Sequence, residues 1–301
     1  ASGCVAQLES TERRLRRVYD IEIQWYNGRH PLTFEQHKEL TNHHKTKLKE
    51  YRKSINEKMA DIAKLQKQLD IMDVFSESNI NNAEQLCNSV FELSVSCTVG
   101  LVGFFSSIIE SSVQALEING YPPHLSFAVV GLGSVGRGEA TPFSDLEYAF
   151  IVESTEIDYF TRLAMDTYFC INNLGETEMK RFDIKELQGN DVRDIDQPKI
   201  CGVRIDGITK KAGNIPTGNG RPDSEKLIFT VEQMMKIYLR ALASPMDPDK
   251  VGDLSDLLSS TKLIYSNRNG EDLYNKFLEQ RQQVETDEMG KSAVIRKRLT
   301  T

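Results

Sequence analysis

Residues 131–150 read GLGSVGRGEATPFSDLEYAF. Two kinds of site use such a stretch. Gly131-x-Gly133-x-x-Gly136 has the glycine spacing of a dinucleotide-binding turn. Gly133-Ser134, followed eleven residues later by Asp145-Leu146-Glu147, joins a phosphate-cradling turn to a pair of carboxylates. The dinucleotide reading needs a strand, the glycine turn, a long crossover helix, and a second strand ending in an acid about 20 residues on. Glu153, twenty-two residues after Gly131, satisfies the last condition. The helix fails. Eight residues separate Gly136 from Asp145, and they include Thr141-Pro142-Phe143-Ser144. Proline disfavours the α region at the residue before it, and a parallel crossover takes about a dozen residues or more. A nicotinamide-dependent oxidoreductase is therefore the least supported function.

The carboxylate reading uses more of the residues. Side chains alternate along a strand, so Asp145 and Glu147 share one face and Leu146, Tyr148, Phe150 and Val152 the other. Two ionised carboxylates on one face repel each other. A hard divalent cation such as Mg²⁺ removes that repulsion and keeps positions open for phosphate oxygens. A solvated acidic strand end is the bland alternative for the pair alone. The Gly-Ser turn upstream is what favours a site.

The chain has 301 residues, 39% hydrophobic and 27% charged, enough for a sizeable core in one to three domains. Its formal charge of −7 disfavours a nucleic-acid backbone as partner. Five dispersed cysteines, with no Cys-x-x-Cys, read as reduced thiols of a cytoplasmic protein. The start, Ala1-Ser2-Gly3, has no signal-peptide h-region and reads as an expression scar or an excised edge. Leu93 to Ile109 is uncharged for seventeen residues. A spanning helix needs about 20, so this run is expected as a buried helix of a soluble domain, without a membrane partner.

Residues 5–26 are expected to be helical, and Asn27–Pro31 breaks the chain. Thr33 and Gln36 form a capping-box pair that starts a helix running to about Phe75. Leu48, Tyr51, Ile55, Ile62, Leu65, Leu69 and Met72 form its apolar seam. That seam suits either a homodimeric coiled coil or, preferably, a hairpin with helix 5–26. Residues 82–118 are a second long helix. Strands are expected at 125–130, 145–153, 179–184 and 200–206. Helices are expected at 156–173, 228–244, 250–266 and 270–285, before a basic tail. The fold class is α+β: a small mixed-sheet core over 81–226, an N-terminal helical hairpin over 1–80, and a C-terminal helical bundle over 227–301.

Gly133, Ser134, Gly136, Arg137, Gly138, Glu139, Pro142, Ser144, Asp145 and Glu147 together resemble the signature of the DNA polymerase β-like nucleotidyltransferase superfamily. The run is similar to that of the PII-protein uridylyltransferases and glutamine-synthetase adenylyltransferases. It looks closer to a related nucleotidyltransferase-like domain of large animal multidomain proteins. Weaker similarity extends over about 85–285, including ICGVRIDGITKKAGNIPTG (200–218) and SSTKLIYSNRNGEDLYNKF (259–277), the latter expected as a helical region.

The resemblance implies Mg²⁺- or Mn²⁺-dependent transfer of a nucleoside monophosphate from a nucleoside triphosphate to a protein or small-molecule hydroxyl. It implies metal and catalytic roles for Asp145, Glu147 and Asp206, with Asp183 as the rival third acid. Gly133, Ser134, Arg137 and Lys210 would hold the triphosphate, unless Arg137 pairs with Glu139 or Asp145 instead. Glu147 stands where the bacterial enzymes have aspartate, and no His-Asp dipeptide of a hydrolase domain is present. A catalytically silent nucleotide-binding or scaffold module is therefore the alternative.

Overall fold

The computed structural model describes residues 13, 15–16, 19–20, 23, 32–70, 77–154, 157–179, 196–198, 203, 227–243 and 260–286. Two long helices come first, α1 (Phe34–Asp70) and α2 (Glu77–Ile118). Strand β1 (Phe127–Gly131), a five-residue helix α3 (Gly133–Arg137) and strand β2 (Tyr148–Val152) follow. Next are helix α4 (Ile157–Asn173) and the short strands β3 (Thr177–Met179), β4 (Asp196–Pro198) and β5 (Ile228–Phe229). Helix α5 (Val231–Ala243), strand β6 (Lys262–Asn267) and helix α6 (Gly270–Thr286) complete the described chain.

Four strands form one mixed sheet in the order β5-β2-β1-β6. β1 runs antiparallel to both β2 and β6, and β2 runs parallel to β5. β3 and β4 make a separate antiparallel pair. The architecture is α+β, as expected: a small mixed sheet with helices on its N- and C-terminal sides.

Alternation along the two central strands builds three layers. Phe127, Val129, Leu146, Tyr148, Phe150 and Val152 join one core cluster with α2 residues such as Phe105 and Ile108 and α4 residues such as Phe160 and Phe169. Ala128, Val130, Ala149 and Ile151 join the other, with Met234 and Tyr238 of α5 and Tyr274 and Phe277 of α6. Both faces of the sheet are thus covered, which is why β1 and β2 are apolar at every position. Phe127 anchors the first layer. Its ring lies 5.4 Å from Phe160 and 6.3 Å from Phe150, edge-on to both, and 5.9 Å from Tyr265.

The capping box at the start of α1 forms as the sequence predicts. Thr33 N–H donates to Gln36 Oε1 (2.9 Å), and Gln36 N–H donates to Thr33 Oγ1 (3.3 Å). Thr230 and Gln233 repeat the device before α5. Most of 5–26, the expected hairpin partner of this helix, lies outside the described residues. α1 packs antiparallel on α2: Tyr51 Oη donates to the Cys97 carbonyl (2.7 Å), and His44 Nε2 lies 3.2 Å from Ser111 Oγ. Gly100 allows this approach, because a methyl there would overlap the Tyr51 ring. Leu48 and Ile55 of the seam are buried inside the chain, whereas Ile62 and Leu65 are half-buried. Among the described residues of the preceding segment, Tyr19 Oη reaches the Leu32 carbonyl and Arg16 lies over the Phe34 ring. α1, of 37 residues, thus finds a long helical partner in α2, of 42 residues.

Ile80–Ile118 is long and apolar enough, by length and composition, to cross a membrane. Its C-terminal half carries Leu101, Phe105, Ile108 and Leu116 into the core, while Phe91, Val95 and Val99 are exposed.

Two expected helices are corrected. Within 250–266, residues 262–266 are part of β6, paired with β1, and the 259–277 region is a strand followed by a helix. Lys262-Leu-Ile-Tyr is rich in β-favouring side chains, and the exposed edge of β1 supplies its backbone partners. Within 228–244, Ile228 and Phe229 pair with β2, and the helix begins only at Val231. The expected strand at 179–184 meets β3 at Met179. Residues 180–184 lie outside the described residues, as does 200–206 apart from Val203.

Phe127→Ala should cost about 3–5 kcal/mol of folding stability, measured by urea denaturation, because several rings lose their common neighbour. A second prediction concerns acid. The buried His44 imidazole is pushed down to about 4 from its usual 6.5, first by burial and then by the charges of His43, Lys47 and His37. Between those values the native imidazole is neutral and the unfolded one is protonated. Its contribution is complete above about pH 6.5 and is lost as the pH falls toward about 4. His44→Gln should therefore lose less stability than the wild type between about pH 7 and about pH 4.5 in urea unfolding.

Candidate functional site

The register of β1 against β2 builds the site. Gly131 stands opposite Tyr148, so Leu132 and Glu147 are the next pair, and Leu132 N–H donates to the Glu147 carbonyl at 2.8 Å. The chain then turns through Gly133 at φ +55°, in the left-handed region that glycine tolerates. The Glu147 carboxylate lies directly over this residue, and a Cβ at Gly133 would overlap its Oε2. Gly136 is required for another reason: a Cβ there would overlap the backbone carbonyl of Ser260, just before β6. A Cβ at Gly131 would overlap Val135 Cγ1, so all three spaced glycines serve close approaches within the fold.

The antiparallel β1–β2 pair and the five-residue α3 exclude a dinucleotide-binding unit, which needs parallel strands and a full crossover helix. α3 ends at Gly138, φ +77°, whose N–H reaches the Ser134 and Val135 carbonyls. Glu139 N–H also donates to the Ser134 carbonyl, at 2.9 Å. The first N–H groups of such a turn have no partner within the helix. Arg137 Nε donates to Glu139 Oε2 at 2.8 Å, and both side chains are exposed. Of the two sequence readings of Arg137, the ion pair with Glu139 is the arrangement observed.

The loop to β2 is a built turn. Thr141 N–H donates to Ser144 Oγ at 2.8 Å, and Ser144 N–H donates to the Thr141 carbonyl at 3.1 Å. Asp145 and Glu147 are half-buried on either side of the fully buried Leu146. The expected strand at 145–153 is shorter: β2 begins at Tyr148, so Asp145 and Glu147 lie in the connection just before it, on either side of Leu146, which joins the α2–α4 layer. Glu147 approaches the glycine turn, as its overlap with Gly133 records. Among the described residues, no group of three or more His, Cys, Asp or Glu side chains could hold a metal ion. Asp206, its rival Asp183, and Lys210 lie outside the described residues. The Asp145 and Glu147 carboxylates are hard oxygen donors, chemically suited to a magnesium-like cation.

Sequence reading missed the residues that hold this loop from behind. Ala140 N–H donates to Thr98 Oγ1 of α2 at 3.2 Å, and Ser94 Oγ donates to the Gly138 carbonyl at 3.4 Å. From α1, Arg52 Nε donates to the Pro142 carbonyl at 3.1 Å, and its guanidinium lies 4.3 Å from the Phe143 ring centroid. No sequence signal marks these partners, which stand some forty to ninety residues away from the loop.

Residues 95–179 match the family described as "Putative nucleotidyltransferase DUF294". The matched stretch runs from α2 to the end of β3 and contains the glycine turn, Asp145 and Glu147. It supports a nucleotidyltransferase-like domain in this part of the chain. Asp206 falls beyond it. No curated protein matches the chain.

Gly133→Ala should lower stability by about 1–3 kcal/mol through the left-handed backbone alone, with a further loss from displacing Glu147. Thermal melts of Gly133→Ala and Gly133→Ala/Glu147→Ala should separate the two, since removing the carboxylate relieves only the clash.

Proposed function

We propose that the protein is a divalent-cation-dependent nucleotidyltransferase that moves a nucleoside monophosphate from a nucleoside triphosphate to a hydroxyl acceptor. One observation carries the reading: the Glu147 carboxylate lies against Gly133 of the Gly133-Ser134 turn, with Asp145 two residues before it in the chain. The family match over 95–179 supports it.

In this reading Asp145 and Glu147 bind the cation, Mg²⁺ or Mn²⁺, with Asp206 as the third acid. The cation supplies charge neutralisation of the triphosphate and activation of the entering oxygen. The backbone amides at Gly133 and Ser134 orient the outgoing phosphates. Arg137, already paired with Glu139, can turn its fork toward a phosphate at modest cost, because exposed ion pairs contribute little. Lys210 adds positive charge. Pyrophosphate leaves as the acceptor oxygen bonds to the α-phosphorus, and Asp206 receives the hydroxyl proton. The acceptor is a protein or small molecule, since the net charge of −7 opposes a nucleic-acid backbone.

The second reading is a silent nucleotide-binding or scaffold module. It is favoured by the same Glu147 carboxylate, which covers the turn that phosphates would use, and by glutamate at a position where the related bacterial enzymes carry aspartate.

Incubation with α-³²P-labelled ATP, UTP, GTP or CTP and Mg²⁺ or Mn²⁺ tests the choice. Label transfer that falls by roughly a hundredfold or more in Asp145→Asn is the expected result, since charge stabilisation supplies most of the rate in phosphoryl chemistry. Mg²⁺-dependent thermal stabilisation by a triphosphate, with no transfer to the chain or to added acceptors, would replace it with the silent module.

A further inference from the structure

Arg52 lies in the middle of α1, far from the glycine turn in sequence, yet three segments meet on its side chain. Its Nε donates to the Pro142 carbonyl, three residues before Asp145. Its two terminal nitrogens engage both carboxylate oxygens of Glu176, with Nη2 2.9 Å from Oε2 and Nη1 on Oε1. Its Cζ lies over the Phe143 ring, 4.3 Å from the centroid. Glu176, between α4 and β3, passes the connection on: its Oε2 also accepts the backbone N–H of Val203, at 2.7 Å. Val203 is fully buried in the sheet's first core layer. It stands three residues before Asp206.

We propose that Arg52 and Glu176 are positioning residues that couple the N-terminal hairpin to the loop before Asp145 and to the backbone at Val203. The proposal rests on the nucleotidyltransferase reading for its catalytic consequence, and on the geometry alone for the coupling. A planar fork with donors on three nitrogens can hold a carboxylate with two of them and a carbonyl with the third. A lysine ammonium is a point charge and cannot reproduce that geometry. The pair is only about one-fifth exposed, so water screens it less than a surface pair. Phe143, although half-exposed, gives the guanidinium a face to stack on and fixes its plane. Thr98 and Ser94 hold the other end of the same loop, so the hairpin grips residues 138–143 at both ends. Neither residue touches the reacting atoms. They act by setting the place of the loop before Asp145 and of the Val203 backbone.

Two measurements on the full chain test this: hydrogen exchange by mass spectrometry, and label-transfer kinetics. In Arg52→Gln, exchange should rise roughly tenfold in the peptide covering 140–147 and in the one containing Val203, the worth of a charge-assisted hydrogen bond. Exchange in β1 and β2 should stay at the wild-type level. Glu176→Gln should raise exchange at Val203 most. In kinetics, Arg52→Gln should lower kcat about ten- to a hundredfold, with KM for the triphosphate within about threefold, because misplacement by about 1 Å costs on that order. Arg52→Lys should not rescue it, and Lys53→Ala, a neighbouring exposed cation, should behave as wild type.

Unchanged exchange at both peptides overturns the proposal. So does exchange raised throughout the sheet, which would make Arg52 a general stability residue, and so does full rescue by lysine. A wild-type chain that transfers no label refutes the nucleotidyltransferase reading instead, and the exchange measurement still decides the coupling. An active wild type with unaltered Arg52 variants refutes the positioning role and leaves the transferase reading standing.

Discussion

The antiparallel pairing of β1 with β2 is the constraint on which the site depends. Once Gly131 stands opposite Tyr148, Leu132 must face Glu147, and the chain turns at Gly133 beneath that carboxylate. A shift by one residue would send Tyr148 and Phe150 to the opposite layer and move both acids with them. The register is held by burial on both sides, with the aromatic side chains of β1 and β2 facing one layer and their alanines, Val130 and Ile151 facing the other. The acid-bearing end is therefore set by the same pairing that makes the core.

Because β1 and β2 are antiparallel, a short connection suffices between them, and α3 is only five residues long. Short connections leave little to position the loop that follows. The helical hairpin supplies what is missing. α1 and α2 pack closely at Gly100 and Tyr51, and the pair presents Ser94, Thr98 and Arg52 to residues 138–143. The long apolar stretch of α2 follows from this placement, since its C-terminal half lies under the sheet and against α4.

Much of the fold was readable because local rules and burial agreed. Thr33 with Gln36 marked a helix start that forms as expected, and Leu125–Val130 overlaps β1 because its side chains are apolar without a helical period. Pro142 excluded the crossover helix. The failures have one cause. Lys262–Asn267 carries apolar residues that suit a strand or a helix, and its partner, β1, lies more than a hundred residues upstream. Ile228 and Phe229 adjoin a helix start and pair with β2 over a similar gap in kind, so local pattern absorbed them into that helix. The seam of α1 was legible as a seam, while the face that covers it was not.

The sequence by itself determined the glycine-serine turn, the Asp145-Leu-Glu147 alternation and the break at Pro142, because each depends on backbone freedom or side-chain parity within a few residues. Only the tertiary structure decided that Glu147 closes over Gly133, that α1 pairs with α2, and that Arg52 meets Pro142 and Glu176. Those contacts join residues from about fourteen to more than a hundred positions apart. Such pairs are selected by packing and by burial of their polar groups, and no local periodicity records them.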